Sequence, residues 1–364
     1  MENESGNPRA FLTRLFGEAG GRPLPFERFM EAALFDPDFG YYTANVGGIG
    51  GAPGTRGDFS TTPGLSKILA RALARWVMAE ATRLPGRPAL IEAGPGEGTL
   101  MEGLLDGLGW WRRRGFAVHL VEISPRLRKR QQDRLRRFGF RRLHWHDRIE
   151  DALAAAGGEA LVWSHELVDA FPVVALRWNA ATGRWEEIHA RFEPATGLSE
   201  CFAPLSESRP RLEPGDFAAL RPGAPWPDGQ RVELHASYRA WLDRLSAGLR
   251  AGSLLTIDYG GSPADIYRKR PGGSLRAYFR NQRLTGPGIY RMFGRQDLTA
   301  DVCFDDLRAW GEAAGFGTVA CESQNDFLAR MLGDPGPPRD RAEAFLREPG
   351  GAGEAFRALW QRKG

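Results

Sequence analysis

The segment Ile91-Glu92-Ala93-Gly94-Pro95-Gly96-Glu97-Gly98-Thr99 sets three alternating glycines behind a short apolar run. Glycine lets a backbone approach a ligand closely, and the N-terminus of a following helix favours negative charge. Such a loop suits a cofactor, although a tight turn alone would also use glycine. The spacing departs from the dinucleotide fingerprint G-x-G-x-x-G, because Thr99 stands where the third glycine would fall. A second acid, Glu122, closes the next apolar run, Val118-His119-Leu120-Val121, where a carboxylate can accept both hydroxyls of a ribose. Ahead of Ser124-Pro125 the same acid also suits a helix N-terminus. His165-Glu166 begins like the zinc motif H-E-x-x-H, but Asp169 occupies the second histidine's position. Cys201, Cys303 and Cys321 lie far apart and form no C-x-x-C pair. No metal centre and no disulfide framework is therefore expected.

The elements that must carry these residues alternate in type. Strand-like runs at 89–93, 117–121, 142–145, 160–163 and 253–258 are separated by helical patterns, including a basic helix over 125–137, and a last helix and strand fall near 304–314 and 318–321. Strands separated by helices imply βαβ units, hence an α/β fold with a parallel sheet covered on both faces. Upstream, Phe26, Phe29, Met30, Ala33 and Leu34 repeat at helical spacing up to Asp36-Pro37, where proline stops a helix. Residues 47–64 are rich in glycine and proline and read as loop, and a helix runs from Leu65 to about Ala81. In the middle, 173–178 and 184–191 predict a hairpin, and 192–230 read as an irregular insertion. The organisation expected is a mobile leader over 1–22, an N-terminal helical cap with a cofactor-covering loop over 23–85, a main domain over 86–330 with its insertion at about 180–235, and a tail over 331–364 ending in a short helix.

The 364 residues are 42% apolar and 26% charged, which excludes fibrous and wholly disordered classes. No apolar run approaches the roughly 20 residues of a membrane span. The start MENESGNPRA offers no secretory or transit pattern, so a cytoplasmic location is expected. The formal charge is a modest +4, and the positive residues are nearly all arginine. Twelve cations crowd between Arg112 and Arg142. Without interleaved aromatics for base stacking they read as a solvated face rather than a nucleic-acid surface. Neither a membrane nor a nucleic-acid partner is expected, and an oligomer is open.

The order E-x-G-x-G-x-G followed by Glu122 is the pattern of S-adenosylmethionine-dependent methyltransferases of the Rossmann-like class. Around it the chain resembles the MidA-type methyltransferase family over most of 23–331. The resemblance rests on Phe29-Met30-Glu31, Asp36-Pro37-Asp38-Phe39-Gly40-Tyr41-Tyr42, Gly57-Asp58-Phe59-Ser60-Thr61-Thr62-Pro63, Leu120-Val121-Glu122-Ile123-Ser124-Pro125 and His165-Glu166-Leu167-Val168-Asp169-Ala170-Phe171-Pro172-Val173. It continues through Ile257-Asp258-Tyr259-Gly260, Leu275-Arg276-Ala277-Tyr278 and Gln296-Asp297-Leu298-Thr299-Ala300-Asp301-Val302. Departures are Gly64 where the family commonly has glutamate, and His165 where it often has asparagine.

Mitochondrial members of that family are complex I assembly factors that dimethylate a protein arginine. The resemblance implies a Rossmann-like seven-stranded class I methyltransferase sheet with a helical cap and an inserted hairpin region. It also implies S-adenosylmethionine as cofactor, and a loop at Asp58 and Phe59 that closes over it. Cofactor contacts are then expected from Asp58, Phe59, Glu92, Gly94, Pro95, Gly96, Gly98, Thr99, Glu122 and Ile123, with Asp147 near the adenine amine. Methyl transfer is an in-line displacement in which alignment does most of the work. Glu166 and Asp169 lie at the strand edge where such sheets bind ligands, and two carboxylates can hold a guanidinium's planar fork. They are the expected catalytic pair, with His165, Glu233 and Tyr259 facing the substrate. The methyl acceptor is a protein or a small molecule. A small-molecule O- or N-methyltransferase, a cofactor-binding scaffold with little turnover and, more distantly, a nicotinamide-dependent dehydrogenase stay open.

Overall fold

The structure, a computed structural model, describes residues 8–46, 66–221, 226–280, 282–333, 336–348 and 351–364. They divide into two compact units. One falls within Gly47–Val168, Arg239–Gly260 and Leu307–Gly364, the other within Met1–Val46, Asp169–Tyr238 and Gly261–Asp306.

The first unit is built on strands β1 (Ala89–Ala93), β2 (Val118–Val121), β3 (Leu143–His146), β4 (Glu159–His165), β5 (Ala251–Gly261), β6 (Gly317–Ser323) and β7 (Phe356–Lys363). Their order is β6-β7-β5-β4-β1-β2-β3. Strands β1 to β5 pair in parallel, and β7 enters antiparallel to both β5 and β6. The central strands β1 and β2 are buried at every position, as strands covered on both faces of a parallel sheet are. Helices α1 (Ile68–Ala81), α2 (Thr99–Arg113) and α3 (Pro125–Leu135) belong to this unit. Leu69, Leu73 and Trp76 of α1 and Leu104 of α2 share its core with Leu90, Leu161 and Leu255. The expected parallel-cored sheet is thus present, with seven of its strands in this unit.

Two expectations about the chain's ends change. Residues 356–363, expected in a tail, form β7, paired from Tyr259↔Phe356 to Gly252↔Lys363. The segment Phe-Arg-Ala-Leu-Trp-Gln-Arg-Lys carries helix formers, and its strand state comes from pairing on both sides, a tertiary effect that overrides propensity. At the other end, Pro8–Glu18, expected in the leader, is a helix with Phe11, Leu12 and Phe16 buried. Phe11 stacks on Phe39 and Phe293, with centroids 4.8 and 5.3 Å apart.

That helix belongs to the second unit, as does Phe26–Phe35, which ends at Asp36 before the proline, as expected. Here the expected hairpin joins Val174–Asn179 to Arg184–Glu193. Leu24–Pro25 and Arg231–Leu234 complete an antiparallel path, and Gly197–Pro204 runs along Arg184–Glu193. Part of the region expected to be irregular is therefore a strand. A smaller sheet orders Gln282–Leu284, Arg276–Phe279 and Asp297–Thr299.

Candidate functional site

In the seven-stranded unit, β1 ends in the glycine loop. Gly94, Gly96 and Gly98 all take positive φ, at 64°, 53° and 78°. At Gly94 the requirement is steric as well, because a Cβ there would lie 2.6 Å from Leu167 Cδ1. Its N–H donates to the Val121 carbonyl at 3.0 Å, which ties the loop to the end of β2. Gly98 is the residue before α2, so the first N–H groups of that helix open onto the loop. Glu92 is 2% exposed, and its Oε2 has no hydrogen-bond partner. Burial pushes its carboxyl up to about 8.

Glu122 at the end of β2 is also buried. One carboxylate oxygen accepts from the Ser124 N–H at 2.8 Å, the other from Gln131 Nε2 at 3.0 Å. Burial outweighs those bonds and raises the group to about 7. Gln131 Nε2 also donates to the Gly96 carbonyl at 2.8 Å, and Gln131 Oε1 accepts from Trp145 Nε1 at 3.0 Å. One amide on α3 therefore joins the glycine loop, the acid of β2 and a side chain of β3. The sequence does carry a signal for it, because Leu127, Gln131 and Leu135 form the buried stripe of an otherwise basic helix. A polar residue inside an apolar stripe needs a partner.

Beside Glu122, the Ile123 side chain is exposed, an apolar surface at the mouth of the loop. Asp147 pairs with Arg128, whose Nη2 also donates to the Glu122 carbonyl at 2.6 Å. Arg130 and Arg134 reach Glu97 at 3.1 and 3.4 Å. Much of the basic helix is thus engaged in holding the loop. Asp58 and Phe59 lie outside the described residues.

Past the end of β4, Glu166 takes φ 51°. A bulky side chain in the left-handed region is strained by about 1–3 kcal/mol and persists where its surroundings hold it. The Glu166 N–H donates to the Ile257 carbonyl at 3.0 Å. Asp258, wholly buried on β5, accepts from the Leu167 and Val168 N–H groups at 3.1 and 2.8 Å and from the Tyr259 N–H at 2.9 Å. The turn after β4 is therefore fastened to β5. The Tyr259 hydroxyl donates to Glu166 Oε2 at 2.6 Å, and His165 Nδ1 lies 3.4 Å from Oε1.

The remaining expected residues fall elsewhere. His165 is buried and stacks on Phe356 at 5.6 Å, a packing position rather than a substrate-facing one. Asp169 is buried in the five-stranded unit, where its carbonyl accepts from the Ala300 N–H. In the same unit Tyr42 donates to Asp297 at 2.8 Å. Glu233, expected to face a substrate, is 3% exposed and accepts from the Ser274 N–H and hydroxyl at 3.0 and 2.7 Å. Its carboxylate is committed to the fold of that unit.

The buried titratable groups set a pH dependence. Burial lowers His119 to about 4, His165 to about 3 and His235 to about 4. An imidazole that charges near 6.5 when unfolded contributes stability that is complete above that value and lost as pH falls toward the folded one. Glu92 and Glu122 act with the opposite sign. Their contribution is complete below about 4.5 and is lost as pH rises toward 7 and 8. Between about 4.5 and 6.5 the two sets oppose each other, so the melting temperature of the ligand-free chain is expected to fall below about pH 4.5, where these histidines still titrate, and from neutrality toward pH 8, where these two carboxylates do. A pH series of thermal melts checks this, and a melting temperature that climbs across the upper interval contradicts it.

The chain matches the family described as "Putative S-adenosyl-L-methionine-dependent methyltransferase" over residues 72–320. It is 28% identical to the Drosophila melanogaster mitochondrial protein arginine methyltransferase NDUFAF7 homolog, covering 86% of this chain and 72% of the relative. The human mitochondrial protein arginine methyltransferase NDUFAF7 is 26% identical, over 85% and 70%. Among solved structures, a COG1565 superfamily member from Burkholderia thailandensis bound to S-adenosyl-homocysteine superposes with a TM-score of 0.80 at 27% identity, covering 98% of this chain and 91% of that one. The relatives NDUFAF7 and its homologs are named as mitochondrial proteins, which overturns the expectation of a cytoplasmic location. Among the described residues, no helix is long and apolar enough to cross a membrane.

Proposed function

The chain belongs to this family of S-adenosyl-L-methionine-dependent methyltransferases, and from that premise we propose that Glu166 receives the nucleophile, a guanidinium nitrogen of a protein arginine. The cofactor fits the residues present. Three glycines at positive φ leave the loop backbone bare, and Glu92 has an unpartnered oxygen. We assign Gly94, Pro95, Gly96, Gly98 and Thr99 to the cradle, Glu122 to the ribose hydroxyls, and the exposed face of Ile123 to the adenine. Gln131 is the positioning residue that keeps Glu122 and the loop in register. Asp147, already paired with Arg128, borders the adenine end. When bound, the cofactor supplies an electrophilic methyl group on a sulfonium.

The chain's own task is to orient the acceptor and take its proton. The observation that carries this reading is the Glu166 carboxylate, held at φ 51° with the Tyr259 hydroxyl at 2.6 Å. The two oxygens of a carboxylate can engage a guanidinium's parallel N–H groups. As the nitrogen attacks, the same carboxylate accepts the proton the nitrogen sheds. Arginine as acceptor is supported by the names of the relatives, protein arginine methyltransferases.

The test is incubation of the purified chain with methyl-labelled cofactor and lysate from a host lacking the gene, followed by hydrolysis and amino-acid analysis. The expected result is label in methylated arginine of a protein band. Label confined to small molecules would defeat the protein-arginine reading and leave a metabolite methyltransferase.

A further inference from the structure

In the five-stranded unit, Arg231, Arg270 and Arg283 line a cleft of about 400 Å³ together with Gly272, Gly273, Leu275, Thr285 and Gly286. We infer that this cleft binds an oxyanion, the carboxylate of an acidic peptide or a phosphate group. The inference goes beyond methyl transfer and does not depend on how that reaction proceeds.

Three arginines from three segments line it, and among the described residues no carboxylate does. Like charges gathered around a void repel one another, so a structure that gathers them must hold them. Arg231 is fixed by a two-point pairing with Glu200 at 2.9 and 2.6 Å. Arg270 reaches Asp301, a carboxylate that Arg276 also engages, so one acid serves two guanidiniums. Arg283 is exposed and has no acidic partner among the described residues. A guanidinium has five N–H donors, and one acid leaves several unused.

The backbone beneath is equally determined. Gln230, 2% exposed, donates from Nε2 to the carbonyls of Arg231 and Arg270 at 2.8 and 3.0 Å. The Arg231 N–H donates to the Pro271 carbonyl at 2.9 Å, which joins the strand to the arginine-bearing loop. At Gly273, φ is 79° and a Cβ would lie 2.2 Å from Glu233 Oε1. The loop therefore keeps a bare backbone on the floor of the cleft. Preorganised planar forks above a bare backbone floor match the bidentate geometry of carboxylate and phosphate.

Isothermal titration of the full chain at low salt with acetyl-tetraglutamate amide, and separately with inorganic phosphate, tests the assignment. Binding of at least one probe is expected, weakened about tenfold or more in Arg283→Gln. It should be unchanged in Arg112→Gln, a variant in the other unit that controls for general charge attraction. Arg283 is exposed, so thermal melts should show both variants folded. Peptide binding that phosphate does not displace identifies a carboxylate ligand. Phosphate binding, or displacement of the peptide by phosphate, identifies a phosphate group. No binding of either probe, or equal affinity in wild type and Arg283→Gln, overturns the inference.

Discussion

Replacing Glu166 by glutamine is expected to lower kcat by a factor of about a hundred to ten thousand while the cofactor Kd changes by less than about twofold. Glutamine fills the same volume, accepts the Tyr259 hydroxyl through its amide oxygen and takes the same left-handed backbone, so the turn after β4 keeps its shape. What disappears is the negative charge and its ability to take a proton. The glycine loop and Glu122 are tied together through the Gln131 amide, whereas the Glu166 carboxylate is tied to Tyr259 on β5, which is the reason cofactor affinity should survive. Single-turnover methyl transfer, with cofactor affinity measured separately by titration, makes the comparison. Raising the pH should not rescue the variant, since an amide does not ionise in that range. A variant that keeps its kcat would remove Glu166 from the mechanism and leave its strained backbone without a catalytic explanation.

The contrast between Glu122 and Gln131 marks how far the sequence could be read. Glu122 closes an apolar strand at a fixed distance from a glycine loop, and both features are local, so the glycine loop and the parallel sheet that carries it were legible. Gln131 is four residues from Leu127 and four from Leu135, and its role depends on three other segments meeting around one amide. The same holds for β7, whose strand character exists in its pairing with β5 and β6 rather than in its composition. Glu233 shows the opposite error. It was expected to face a substrate, yet the Ser274 hydroxyl and N–H engage it within the fold. Burial decides such cases, and burial of a polar side chain is a property of tertiary structure.

Asp258 is the residue whose loss should be felt most in stability and in turnover together. Its carboxylate accepts three backbone N–H groups, two of them from the turn that presents Glu166. Asp258→Ala would leave those buried donors unsatisfied at about 1–3 kcal/mol each, partly relieved by rearrangement, so a net loss of about 3 kcal/mol is expected from denaturant unfolding. Asp258→Asn keeps an acceptor oxygen for the turn but turns an amide toward one donor, and should lose about half as much. The second consequence separates positioning from mere folding. With the turn unfastened, Glu166 is free to relax from φ 51° to the right-handed region, which relieves strain and carries its carboxylate away from Tyr259. Well below its melting temperature, the alanine variant should therefore bind cofactor normally and still show a kcat depressed at least tenfold. If kcat recovers fully once the variant is folded, Asp258 supports the sheet and does nothing for the position of Glu166.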